Sequence, residues 1–110
     1  MLIVTTTLIR PSADIPFYNA GAEWAEYFRS TYTATGKCAV PEVSFSQDLL
    51  TTTRVSRWRS VADNEEYLID ATADAMKTAR TAYSTEHGIQ VLLTSEVVFD
   101  EFDQLENTNP

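Results

Sequence analysis

The chain opens on Leu2-Ile3-Val4-Thr5-Thr6-Thr7-Leu8-Ile9, a run of leucine and β-branched residues only. Such residues pack well on a pleated surface and are restricted in a helix, so the run predicts a first strand. Pro11, Ser12, Asp14 and Pro16 then mark a loop, with Asp14 as the expected N-cap and Pro16 near a first helical turn. Phe17, Ala20, Gly21, Trp24, Phe28 and Thr31 recur at spacings of three and four, which predicts a helix over roughly 16–35 that Gly36 stops in a left-handed conformation.

Beyond Pro41 the period changes to two. Val43 and Phe45 flank Ser44, Gln47-Asp48 supplies a turn, and Thr51-Thr52-Thr53-Arg54-Val55-Ser56-Arg57-Trp58 alternates again, which together read as a hairpin. Ser60, with Asp63 three residues on, is placed to cap a second helix. In that helix Tyr67, Leu68, Ala71, Ala75, Ala79 and Ala82 form the expected apolar stripe, opposite Asp70, Asp74, Lys77 and Arg80. The run from 61 to 87 is long for one helix, so a break is expected near Asp70, and Gly88 ends it. Ile89 to Thr94 and Val97-Val98-Phe99 supply a last strand.

The order β-α-β-β-α-β is that of a ferredoxin-like α+β fold: a four-stranded antiparallel sheet with two helices on one face. It predicts a single domain over 1–99, followed by an acidic C-terminal tail over 100–110. One sheet face then lies bare although both faces carry apolar residues, Leu2, Val4 and Leu8 on one side and Ile3 and Ile9 on the other. A second copy of the chain is the simplest cover.

Composition narrows the class. At 110 residues with 44% hydrophobic positions, the chain suits one globular core. Sixteen acidic against eight basic residues give a formal charge of −8, a field that repels nucleic-acid phosphates and anionic lipids, so neither nucleic acid nor a membrane surface is an expected partner. Cys38 is the only cysteine, which excludes an internal disulfide and fits a reducing, cytoplasmic setting. The opening apolar run has no basic residue before it and is too short for a signal peptide or a membrane span.

Two stretches carry a resemblance. Arg57-Trp58-Arg59-Ser60 followed by Val61-Ala62-Asp63-Asn64-Glu65-Glu66-Tyr67, and later Tyr83-Ser84-Thr85-Glu86-His87-Gly88-Ile89, resemble the dimeric α+β barrel superfamily, particularly its antibiotic-biosynthesis-monooxygenase-like members. The resemblance implies a homodimer whose sheets meet face to face as a barrel, and an enzyme of the cofactor-independent oxygenase or isomerase type.

Candidate chemistry is sparse. His87 alone has an ordinary pKa near neutrality and is a candidate base, but it also stands where a histidine caps a helix C-terminus. Arg54, Arg57 and Arg59 gather three of the eight positive charges into six residues. Alternation puts Arg54 on the face of Thr52, Ser56 and Trp58, where it is either a ligand anchor beside an aromatic wall or the partner of an acidic neighbour. Trp24, Trp58 and Tyr67 either line a pocket or fill the core. Lys37 lowers the Cys38 pKa slightly if the two interact, and otherwise the thiol is inert packing.

Catalytic candidates are therefore His87, Trp58 and Arg54, ligand-binding candidates Arg54, Trp58, Tyr67 and Trp24, and no metal or organic cofactor is expected. The leading expectation is a homodimeric, non-catalytic module that binds a small organic ligand or another protein. The alternative is a cofactor-independent monooxygenase or isomerase acting on a small organic substrate. A third reading, a subunit of a larger assembly, rests on Phe102 and Leu105 within the acidic tail.

Overall fold

The computed structural model describes residues 1–98. Strands β1 (Leu2–Ile9), β2 (Glu42–Phe45), β3 (Thr51–Trp58) and β4 (Gln90–Val97) form one sheet in the order β2-β3-β1-β4, with every pairing antiparallel. Helix α1 (Gly21–Phe28) follows β1, and α2 (Val61–Leu68) and α3 (Ala71–His87) lie between β3 and β4. This is the ferredoxin-like arrangement that the hydrophobic periods imply. The expected tail, with Asp100, Glu101, Asp103 and Glu106, lies outside the described residues, as do Phe102 and Leu105.

Register decides which side chains meet the helices. Leu2 lies opposite Trp58, Val4 opposite Ser56, Thr6 opposite Arg54 and Leu8 opposite Thr52. Leu2 and Trp58 are buried with Phe28, Tyr32 and Cys38, and Val4, Trp24, Tyr27 and Tyr67 pack against them. The even-numbered face of β1 and β3 is therefore the inner face, and Ile3, Thr5, Thr7, Ile9, Thr53 and Val55 belong to the outer one.

The first helix is shorter than expected and starts at Gly21 instead of near Pro16. Tertiary hydrogen bonds explain the late start. The carbonyl of Ile15 accepts from Arg10 Nη1 (3.0 Å) and that of Pro16 from the Tyr83 hydroxyl (2.6 Å), so two acceptors of a first helical turn are already used. Asp14 caps nothing; the Asn19 side chain instead accepts the Gly21 N–H. After Phe28 the helix widens into a π-helical turn over Arg29–Thr33 that carries Tyr32 inward.

The break near Asp70 is present and defined. Ser60 Oγ accepts the Asp63 N–H at the start of α2, and Asp70 caps α3 by accepting from the N–H groups of Thr72 and Ala73. Gly88, at φ +70, ends α3 in the left-handed conformation.

The face of α3 differs from the expected one. Ala71, Ala75, Ala79 and Ala82 are exposed, whereas Ala73 and Ser84 are buried and Met76, Lys77 and Arg80 are half-buried between them. Alanines offer little apolar surface, while Met76 and the methylene stems of Lys77 and Arg80 offer more. The side of the helix with long side chains therefore turns toward the sheet.

Candidate functional site

A cavity of about 240 Å³ lies between the helices and the inner face of the sheet. Its floor follows from the register. Thr6 sits between Arg54 and Leu93, and Val4 between Ser56 and Ser95. These rows place short polar side chains at the centre of the sheet, where branched aliphatics would fill the space. The walls are aromatic, with Trp24 and Phe28 from α1, Trp58 from the end of β3 and Tyr67 from α2. Met76, Lys77 and Arg80 close the side formed by α3.

The aromatic wall is continuous. Trp58 and Tyr67 rings are 5.2 Å apart, Phe28 meets Trp58 edge-on at 6.0 Å, and Trp24 reaches both Phe28 (6.0 Å) and Tyr67 (6.4 Å). A second, more open cavity of about 370 Å³ adjoins it, bounded by Phe17, Val43 and Phe45, with Thr6, Trp24, Arg54, Met76 and Arg80 lining both. The first is the better enclosed and is taken as the site.

Arg54 lies over the Phe28 ring (5.5 Å) and Lys77 over Tyr67 (4.5 Å). Burial disfavours the charge on Lys77 and on Arg80. Asp74 partly offsets this for Lys77, and Tyr67 does so for Arg80, while Arg54 adds like-charge repulsion to Arg80. Burial also raises the Tyr67 phenol, opposed by Arg80 and Arg54.

Four sequence candidates, Arg54, Trp58, Tyr67 and Trp24, thus come together around one cavity. His87 does not line it. Its ring stacks on Tyr83 (4.0 Å) and its Nδ1 lies 2.9 Å from the Tyr83 carbonyl, the arrangement of a helix-end residue. Arg57 pairs with Glu42 (2.9 Å) and Arg59 with Asp63 (2.8 Å), so the arginine cluster is divided as alternation requires. Lys37 pairs with Glu66, and burial pushes the Cys38 thiol up to about 11, which fits the reading of an inert packed thiol and not one lowered by Lys37.

Sequence reasoning missed Lys77, Arg80, Met76 and Asn64 as lining residues. A signal was present. Ala73, Met76, Lys77, Arg80 and Ser84 recur at helical spacing, but two charges on that stripe made it read as the solvated face.

Among the described residues no group of three or more His, Cys, Asp or Glu side chains is placed to hold a metal ion, and no helix is long and apolar enough to cross a membrane.

No protein-family profile and no curated protein matches the chain. Solved structures do. A proposed antibiotic biosynthesis monooxygenase from Deinococcus radiodurans is similar with a TM-score of 0.58 and 15% identity, over 91% of this chain and 94% of that one. Another structure, of an antibiotic biosynthesis monooxygenase, is similar with a TM-score of 0.53 and 19% identity, over 89% of this chain and 100% of that one. At these identities the likeness is one of fold: the chain has the ferredoxin-like α+β fold of antibiotic-biosynthesis-monooxygenase-like structures.

Proposed function

We propose that the protein binds a small, flat organic molecule in the cavity between its helices and its sheet, as a homodimer. The observation that supports this is an enclosed space with a four-ring aromatic wall over a floor of short polar side chains. Such a wall offers stacking area at little entropic cost, and a volume near 240 Å³, just below the usual range for drug-sized ligands, suits a one- or two-ring molecule. Trp24 and Trp58 both line the cavity, so ligands should change tryptophan emission. Titration with naphthalene-sized compounds should give saturable quenching that Trp24→Leu weakens. Emission unchanged across acidic, neutral and basic members of the set would sink the reading.

The dimer is supported by the outer sheet face, where Ile3, Ile9, Val55 and Leu92 stand among threonines and no helix of the described residues lies over them. Light scattering should report about twice the chain mass of 12.3 kDa. A 12.3 kDa species at micromolar concentration would remove the barrel.

A second reading, a monooxygenase, is favoured by the names of the two similar structures, and the sequence resemblance implies the cofactor-independent type. In it a substrate methylene beside Arg54 loses a C–H proton to solvent, and the resulting carbanion gives its electron pair to dioxygen and takes a proton back to form a hydroperoxide, which then loses water. One oxygen atom enters the product as a carbonyl and the other leaves as water. Oxygen uptake with easily oxidised aromatic methylene compounds should be seen without added metal or flavin. Binding without uptake would leave the first reading standing alone.

A further inference from the structure

We infer that the ligand of this cavity is an organic acid, its anionic group held by Arg54 and Arg80 with Lys77 beside them; the inference rests on the small-molecule reading above and names the chemical class. It follows from where the charges of the chain go. The protein has eight basic side chains and sixteen acidic ones. Arg29, Lys37, Arg57 and Arg59 each pair with a carboxylate, from Glu26, Glu66, Glu42 and Asp63 respectively. Arg10 bonds the carbonyls of Leu49 and Ile15. The remaining three, Arg54, Lys77 and Arg80, line one cavity, and among the described residues no Asp or Glu lines it with them.

With carboxylates twice as numerous as cations, this segregation leaves a local excess of positive charge in a strongly negative protein. None of the three forms an ion pair among the described residues. Arg80 Nε is buried with no hydrogen-bond partner, a donor left without an acceptor. Arg54 and Arg80 repel each other, and burial already penalises the charge on Arg80 and Lys77. An anion entering this space offsets both the repulsion and the burial cost of the charges, with the remaining guanidinium donors of Arg80 and Arg54 as its hydrogen-bond partners. Guanidinium donors suit a planar carboxylate in particular, because their fork matches its two oxygens. The aromatic wall then takes the body of the same molecule, so the cavity is built for a one- or two-ring acid.

The test uses a matched pair of probes, 2-naphthoate and 2-naphthamide, which share a ring system and differ in charge. Quenching of tryptophan emission at neutral pH should show the acid binding at least about tenfold more tightly than the amide, as expected for charge-assisted hydrogen bonds. Arg80→Gln and Arg54→Gln, each checked for a cooperative melting transition, should weaken the acid by about ten- to a hundredfold and the amide by clearly less, so that the preference for the acid shrinks. Equal affinity of acid and amide for the unaltered protein would overturn this inference while leaving the small-molecule reading intact. Failure of both probes to bind would overturn the reading beneath it as well. The acid-amide comparison needs no variant, so an unstable substitution does not blunt the test.

Discussion

The two ends of the helix–sheet interface are built differently. Toward the Trp58 end, Leu2, Phe28, Tyr32, Cys38 and Trp58 are buried in mutual contact, with Trp58 and Cys38 each only 2% exposed. Toward the Arg54 end, the same two layers meet across Thr6, Thr52 and Ser56, and the flanking strands stay open, with Leu93 63% and Phe45 57% exposed. A domain this small cannot leave its whole interior unfilled and remain folded. Confining close packing to one end lets the other hold space and unpaired charge. Close packing and open space thereby fall to different stretches of the same strands, with Trp58 and Phe28 bordering both.

The sharpest way to break that contrast is at the packed end. Trp58→Ala should destabilise the protein by about 3–5 kcal/mol, the usual range for a large buried aromatic, as read from urea melts. A loss below about 1 kcal/mol would mean that the Trp58 end is no better packed than the cavity end.

Next in size is Asp70, which ties the packed end to α3. It accepts hydrogen bonds from the Tyr27 and Tyr32 hydroxyls (2.6 and 2.5 Å) while capping the helix. Asp70→Ala should cost about 2–3 kcal/mol, combining a lost cap with a buried tyrosine hydroxyl left without a partner. Burial works against the Asp70 charge, but the bonds from Tyr27, Tyr32 and the α3 backbone outweigh it and hold the carboxyl below its ordinary pKa. The folded protein thus binds this proton more weakly than the unfolded chain. Its contribution is complete above the ordinary carboxylate value of about 4 and is lost as pH falls through the lower folded value. Urea midpoints followed downward from neutral pH should drop less in Asp70→Ala than in the unaltered protein, and parallel curves would exclude Asp70 as a source of the acid sensitivity.

At the open end the expected sign reverses. Arg80→Met removes a buried donor without a partner and a like charge near Arg54, and should raise stability by about 1 kcal/mol while abolishing preference for acids. Destabilisation by a similar amount would show that Arg80 serves the fold instead of a ligand. The smallest effect is expected at Leu93, where replacement by Thr on the exposed strand should stay within about 0.5 kcal/mol.

Much of this division was legible in the sequence. Alternation grouped Thr52, Arg54, Ser56 and Trp58 on one face of β3, and Ser60, Asp70 and Gly88 marked helix ends, because caps and side-chain periods are local properties. The start of α1 was not legible, since it depends on Arg10 and Tyr83 reaching the carbonyls of Ile15 and Pro16. Nor was the role of α3. Lys77 and Arg80 read as solvated charges unless Tyr67 is known to lie across from them, and only tertiary structure supplies that neighbour.

The enclosed thiol at the packed end gives this molecule a built-in clock. Cys38 is the sole cysteine, 2% exposed, with its pKa pushed up to about 11 by burial, so the folded state offers alkylating reagents neither access nor appreciable thiolate. Any alkylation of the unaltered chain therefore counts moments when the Trp58 end has come apart. The rate of that single modification, set against the rate for the unfolded chain, measures how often the core opens, with no label added and no residue changed. A ligand seated in the cavity can be judged on the same scale: if it slows the clock, the cavity and the packed cluster around Cys38 share one opening motion, and if it does not, they open separately.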